Sequence, residues 1–255
     1  RLNARLQNLA ESAGGSFSYG TRCIANDGEI LETSKGRVRF KWLIDASGFR
    51  GASLLGRDEI DTRHICAAAQ EVCKIQDLDQ AVAYFKRHNV PWGETLCFSG
   101  IFGGYSVLNL RAEGETISIL TGSIPGEGHP SGRKILDRFK AEEAWIGTRC
   151  FGGARTIPLR RPSGRIANAT TALVGDAARQ VFSAHGSGVG LGLLAARLVA
   201  DTLATTQDLH DYEKSWYKKY GSLLHSADAF RIYSQDLQVE HLKLLIREKI
   251  LDEEM

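Results

Sequence analysis

The spacing of apolar residues changes several times along the chain, and each change marks an element. Leu2, Leu6 and Leu9 lie on one face of a helix running to Ala13, where Gly14-Gly15 ends it. Ser16 to Ile24 reads as a strand, followed by a tight turn at Asn26-Asp27-Gly28. Arg37 to Ile44 alternates, with Val38, Phe40, Trp42 and Ile44 opposite Arg37, Arg39 and Lys41, which predicts a half-buried strand. A helix over Gln80 to His88 is broken by Asn89-Val90-Pro91-Trp92-Gly93. Tyr105–Leu110 and Thr116–Ile124 form a hairpin across Ala112-Glu113-Gly114-Glu115. A helix from Arg133 to Glu143 precedes a β-like run from Thr148 to Leu159. A short strand, Thr170 to Val174, then ends abruptly at Gly175-Asp176. Gly186, Gly188, Gly190 and Gly192 lead into a helix whose packing stripe is Leu191, Leu194, Ala195, Leu198 and Thr202. The last fifty or so residues read as helices, one containing Tyr212 to Tyr220 and another with an apolar stripe of Val239, Leu242, Ile246 and Ile250.

Short strands joined by turns between Thr62 and Pro158 indicate an antiparallel sheet, whereas the flanking segments have the strand–turn–helix grammar of an α/β layer. The expected class is therefore α/β with an inserted antiparallel β-sheet. Its parts are residues 1–61, the insertion 62–158, the α/β continuation 159–205, and a C-terminal helical segment 206–255.

Composition narrows the function. In 255 residues, 43% are apolar and 24% charged, with a net charge of +2, which gives no electrostatic case for a nucleic-acid partner. Arg197 and Asp201 interrupt the most apolar helix, so no membrane span is expected, and no signal peptide is evident. Cys23, Cys66, Cys73, Cys97 and Cys150 are odd in number and lack CxxC spacing, which favours reduced thiols and a cytoplasmic protein. The histidines form no pair at ligand spacing, so no metal site is expected. The chain opens on Arg1 and its only methionine is Met255, from which an upstream continuation of the natural protein is expected.

The candidate chemistry sits at two strand ends. Asp176 can accept hydrogen bonds from a polyol, and the glycines after it let helix-start N–H groups approach a ligand oxygen. The competing reading makes the glycines a packing device and Asp176 a helix cap. Asp45-Ala46-Ser47-Gly48 is a second carboxylate-and-glycine turn, with an ordinary Asx turn as its alternative. Gly190-Leu-Gly192-Leu-Leu-Ala195 begins too far beyond its strand to be a dinucleotide fingerprint.

The order of these features resembles the FAD-dependent oxidoreductases of the p-hydroxybenzoate hydroxylase type. Ile44-Asp45-Ala46-Ser47-Gly48, Gly103-Gly104-Tyr105 and Gly153-Ala154-Arg155-Thr156-Ile157-Pro158 ahead of Gly175-Asp176 make it most similar to the geranylgeranyl reductase family, over roughly residues 1–205. The resemblance implies an incomplete FAD-binding, Rossmann-like domain, because no Gly-x-Gly-x-x-Gly turn precedes Asp45. It implies that Gly175 and Asp176 bind the ribityl and pyrophosphate region and that Asp45 and Gly48 lie near the pyrophosphate. Gly186, Gly188 and Val189 would present N–H groups to the flavin. Trp92, Tyr105 and Val107 would roof an apolar substrate pocket, with the more common role of core aromatic as the alternative for Trp92 and Tyr105. His185 is a candidate proton donor, with a hydrogen-bonded turn histidine as the alternative. The family's proline after Gly-Asp is replaced by Ser183, and the aromatic and proline positions after its tyrosine by Val107 and Asn109.

The expected function is FAD-dependent reduction of double bonds in an isoprenoid or similar lipid, with NAD(P)H or ferredoxin as electron donor. An FAD-dependent monooxygenase or halogenase, and a noncatalytic remnant of the same fold, are the alternatives. The expected partner is an apolar small molecule or lipid; peripheral contact with a membrane and the oligomeric state are left open.

Overall fold

The computed structural model describes residues 2–52, 54–56, 59–162, 164–237 and 239–248, excluding the side chains of Val239, Leu242 and Ile246. Helix α1 (Leu2–Ser12) is followed by an antiparallel meander of β1 (Cys23–Asn26), β2 (Ile30–Thr33) and β3 (Gly36–Arg39). Strand β4 (Leu43–Asp45) comes next, and then the long β5 (Ile65–Ile75). Helix α2 (Leu78–Arg87), strands β6 (Thr95–Ser99), β7 (Ser106–Glu113) and β8 (Thr116–Ser123), helix α3 (Gly132–Glu142) and β9 (Ile146–Pro158) follow. The chain then forms β10 (Thr171–Leu173), α4 (Val189–Thr205), α5 (Leu209–Gln235) and α6 (Val239–Arg247).

Strands β5 to β9 build one antiparallel sheet in the order β6-β7-β8-β5-β9. Alternation decides its faces. On β7, Ser106, Leu108, Leu110 and Ala112 are buried, while Arg111 and Glu113 are exposed. The buried face carries Leu110, Ile117 and Ile119 against Tyr84 and Phe85 of α2, Leu136 and Phe139 of α3, and Trp145. Asp77 caps α2 by accepting from the Gln80 N–H at 2.9 Å, and Ser131 caps α3. Helix α3 approaches closely enough that a Cβ on Gly132 would stand 2.5 Å from the Ala67 carbonyl oxygen.

Glu71 faces the same covered layer, where its 2% exposed carboxylate accepts from Arg133 Nη1 at 2.6 Å and Lys140 Nζ at 2.8 Å. Burial pushes its pKa up, but the Lys140 and Arg133 hydrogen bonds outweigh this and leave it below the usual value. The lowered native pKa gives stability that is present above the unfolded pKa, near 4.3, and lost as pH falls through the native one. Glu71→Gln should cost about 1–3 kcal/mol at neutral pH. It should also flatten the acid limb of stability against pH, measured by urea melts.

The second core joins β10 to α4 and α5 through Leu173, Ala195, Val199, Leu209, Tyr212, Trp216 and Leu224. Among the described residues, no helix is long and apolar enough to cross a membrane. All five cysteines are free, and no group of His, Cys, Asp or Glu among the described residues is placed to hold a metal.

Several expected elements differ. Ser16–Ile24 is not one strand: Gly20 adopts φ +64°, Phe17 and Tyr19 stack outside any sheet, and pairing begins only at Cys23. The alternating run Arg37–Ile44 divides into β3 and β4, which belong to different sheets. Between them the Trp42 indole donates to the Gln207 carbonyl at 3.3 Å and Lys41 Nζ to Gln207 Oε1 at 2.9 Å, turning the chain onto the end of α4. The buried positions of α4 are Ala195, Val199 and Thr202; Leu191 and Leu198 are half-buried, and Leu194 is exposed. The stripe expected on Val239, Leu242, Ile246 and Ile250 lies outside the described side chains.

Candidate active site

Strands β4 and β10 are far apart in sequence but pair in parallel, with Leu43 opposite Thr171 and Asp45 opposite Leu173. Their carboxyl ends therefore coincide, and the Val174 N–H donates to the Asp45 carbonyl at 3.0 Å. The two turns singled out in the sequence leave the same end of one sheet, as ligand-binding loops do in α/β folds.

The two carboxylates do different work. Asp45 is 3% exposed, and its Oδ1 accepts from the Ser47 N–H at 2.9 Å and the Ser47 hydroxyl at 2.5 Å. Oδ2 takes the Leu54 N–H at 3.3 Å. Ser47 Oγ in turn accepts from the Ala52 N–H at 2.7 Å, and a Cβ on Gly51 would collide with it at 1.8 Å. Asp45 is thus the organiser of loop 45–54, in which Gly48 at φ +85° makes the turn. Asp176, in the 3-10 turn Gly175–Ala178, has no hydrogen-bond donor among the described residues. Partial burial alone raises its pKa. It is an acceptor held at a strand end without a hydrogen-bond donor among the described residues.

Asp176 also abuts the start of α4. The N-cap is Gly188, which has no side chain to satisfy the first N–H groups of the helix. A Cβ on Gly188 would stand 3.0 Å from Asp176 Oδ1 and 3.2 Å from Val181 Cγ2. A Cβ on Gly192 would lie 3.7 Å from the Gly175 Cα. The glycines therefore serve both readings: they admit the turn against the helix and leave helix-start donors uncovered beside a carboxylate.

Two buried residues that sequence reasoning missed fix this turn. The Gly175 N–H donates to Gln180 Oε1 at 2.7 Å; Gln180 Nε2 donates to the Tyr212 hydroxyl at 2.7 Å, which donates to the Leu173 carbonyl at 3.0 Å. A fully buried glutamine amid small residues was the available signal, but its partner lies on α5, 32 positions on. Tyr212→Phe should destabilise the chain by about 1–3 kcal/mol in urea melts, because Gln180 and the Leu173 carbonyl both lose their partner in the interior.

Gly186, at φ +74°, connects the turn to the sheet. A Cβ there would stand 3.2 Å from the Tyr105 hydroxyl and 3.7 Å from Ile157 Cδ1. Burial pushes the Tyr105 pKa well above its usual value, so the phenol keeps its proton at neutral pH. The uncovered face of the five-stranded sheet carries a groove of about 530 Å³, lined by Ala68, Val72, Leu120, Phe151, Gly153 and Ile157 among others. Ile157 belongs both to this groove and to the contact with Gly186.

The expected roof residues separate. Tyr105 reaches the glycine turn, and Val107 lies on the groove face, its Cγ2 3.6 Å from a Cβ built on Gly122. Trp92 does not belong there. Asn89 adopts φ +56° after α2, and the chain folds Trp92 edge-on to Phe85 at 5.5 Å, on the α2 side of the sheet. His185 is exposed, with Nδ1 2.8 Å from the Ser187 hydroxyl and its ring 4.8 Å from Phe182. Val189 is exposed at the first position of α4.

No protein-family model and no curated protein matches the sequence. Solved structures do match. A geranylgeranyl bacteriochlorophyll reductase-like protein from Thermoplasma acidophilum superposes with a TM-score of 0.74 at 18% identity, over 96% of this chain and 66% of that one. BrvH, a flavin-dependent halogenase from Brevundimonas sp. BAL3, gives 0.58 at 15% identity over 99% of this chain and 51% of that one. A salicylate hydroxylase gives 0.56 at 17% identity, covering 97% and 71%. The chain thus has the fold of FAD-dependent oxidoreductases in part, spanning 66% and 51% of the first two of these proteins.

Proposed function

We propose that this chain is the flavin-proximal part of an FAD-dependent oxidoreductase that reduces carbon–carbon double bonds in an isoprenoid or similarly apolar substrate. The observation that carries the proposal is the Asp176 carboxylate, which has no hydrogen-bond donor among the described residues, beside the open start of α4 and joined through Gly186 to the end of an apolar groove. The residues fit the group: the carboxylate accepts from ribityl hydroxyls, and the cradle at Gly188 is one that a Cβ would fill. Gly175 and Asp176 would hold the ribityl and pyrophosphate region. Gly188 and Val189 would turn N–H groups toward the flavin, where they stabilise negative charge, whereas the Gly186 N–H, expected to do the same, donates to the Phe182 carbonyl at 2.8 Å and is taken. Asp45 would act at one remove, by shaping the loop that carries Gly48.

When bound, reduced FAD supplies hydride for an alkene carbon. The chain's own residues then have two tasks. The groove from Phe151 to Ile157 orients an apolar substrate and excludes water. Tyr105 keeps a proton beside Gly186, and His185 is a further titratable group on the same turn. Likeness to the halogenase and the hydroxylase favours a monooxygenase or halogenase as the second reading. Single turnovers of the dithionite-reduced full-length holoprotein separate the two. Reoxidation by a polyisoprenoid alkene without oxygen supports the reductase; reoxidation only by oxygen, with an oxygenated or halogenated product, supports the alternative. NAD(P)H and ferredoxin would then be compared as electron donors.

A further inference from the structure

Two adjacent glycines interrupt β9, and packing explains only one of them. A Cβ on Gly152, which adopts φ +150°, would stand 2.2 Å from the Gln70 carbonyl oxygen, so the contact of β5 with β9 requires glycine there. Gly153 meets no such limit. Its φ is not positive, and among the described residues nothing beyond its chain neighbours lies within 4 Å of a Cβ built on it. A glycine inside a strand forfeits side-chain packing, and where neither a bulge nor a neighbouring backbone requires it, the remaining reason is a ligand that approaches the sheet closely.

Gly153 lies in the floor of the apolar groove. The register of β5 and β9 sets Gln70 opposite Gly153 and Val72 opposite Phe151. Gln70 Nε2 donates to Ser118 Oγ of β8 at 3.1 Å, which draws that side chain away from β9 and leaves the floor bare. The bare strip begins at Ile157, whose Cδ1 lies 3.7 Å from a Cβ built on Gly186, and ends at Phe151, which is 66% exposed. At a rise of about 3.3 Å per residue, Gly153 lies about 13 Å from Ile157 and Phe151 about 20 Å. A groove of about 530 Å³ spread over that length has a mean section of about 25 Å². With carbon atoms in contact at about 3.5–4.0 Å, that is the width of one hydrocarbon chain and not of two side by side.

We propose that Gly153 and Phe151 set the length of the apolar chain that the groove accepts. The missing side chain of Gly153 lets a single flexible chain lie flat on β9 and continue beyond the middle of the groove, and the Phe151 ring is the wall that stops it. The groove thereby selects chains that reach past Gly153 and no further than Phe151. Calling the Ile157 end the reacting end rests on the function proposed above; the selection by length does not.

The test is displacement of a fluorescent apolar probe, 1-aminoanthracene, from the full-length protein by octanol, dodecanol and hexadecanol, whose extended chains fall short of Gly153, pass it and reach Phe151. These alcohols are saturated and cannot be reduced, so the outcome is separate from that of the flavin assignment. Each buried methylene accounts for about fourfold in affinity, so Gly153→Val should weaken dodecanol and hexadecanol by about tenfold or more while octanol stays within about twofold. Gly153→Ala, the smaller obstruction, should show the same order with a smaller loss. Wild-type affinity should stop rising at hexadecanol, whereas in Phe151→Ala it should rise again at eicosanol. Urea melts should find Gly153→Val at least as stable as the wild type, because valine suits a strand better than glycine, which separates a blocked groove from a folding defect. Unchanged affinities in Gly153→Val, equal weakening of all three alcohols, or no displacement from the wild type by hexadecanol would overturn the proposal.

Discussion

Asp176→Ala should weaken FAD binding to the full-length protein by about ten- to a hundredfold, because each lost hydrogen bond to a charged acceptor costs about 1.5–3 kcal/mol. The fold should survive, since no described protein donor depends on this carboxylate. Stability should even move the other way in the apoprotein. Burial raises the Asp176 pKa in the native state, so the protonated form is the one that folding favours. Its contribution is present below the unfolded pKa, near 3.9, and is lost as pH rises through the native value. At neutral pH the wild-type apoprotein therefore bears the cost of a desolvated carboxylate that the variant lacks. A variant that binds FAD less tightly while its apo form melts no earlier distinguishes a ligand-facing carboxylate from a structural cap. Fluorescence titration with FAD and urea melts at neutral pH read the two effects.

Gly188→Val should abolish measurable FAD binding and lower stability by about 1–3 kcal/mol, the usual cost of forcing volume into a packed site. A Cβ alone would crowd Asp176 Oδ1 at 3.0 Å and Val181 Cγ2 at 3.2 Å, and the two further methyls must also be placed. Gly190 provides the contrast. Among the described residues nothing beyond its own helical turn lies within 4 Å of a Cβ built there, so Gly190→Ala should fold normally. It should be slightly stabilised, because alanine is the better residue inside a helix, by about 0.5–1 kcal/mol. Thermal melts of both variants, with and without FAD, check the pair. If Gly188→Val retained wild-type affinity, the approach of the 175–176 turn to α4 would have no part in binding the cofactor.

What the sequence made legible was local. Alternation in residues 106–123 and the Gly114 turn specify β7 and β8, and the helical runs Gln80–His88 and Arg133–Glu143 lie within or beside α2 and α3, whose Asp77 and Ser131 caps only the structure shows. The strand-end turns at Asp45 and Gly175-Asp176 were visible because carboxylate and glycine follow short β-prone runs, and the structure places them side by side. What escaped depends on contacts between distant segments. Nothing within Arg37–Ile44 announces that Gln207 will hold Trp42 and divide the strand. The resemblance places Trp92 over the groove, with a core aromatic as the alternative, and a left-handed Asn89 decides for the second by directing it to Phe85. The chain from Gly175 through Gln180 to Tyr212, and the ion pairs of Glu71 with α3, likewise join elements whose proximity no local pattern encodes.

The central claim, that the paired ends of β4 and β10 with the start of α4 hold FAD, is tested most directly by melting the full-length protein with and without FAD. At a free concentration a hundred times the dissociation constant, a native-state ligand adds about 2.7 kcal/mol. For a protein of this size that corresponds to a rise in Tm of about 5 °C, and less in a longer chain, which Asp176→Ala and Gly188→Val should each reduce. Full-length protein that purifies without flavin and melts at the same temperature in saturating FAD would contradict the account.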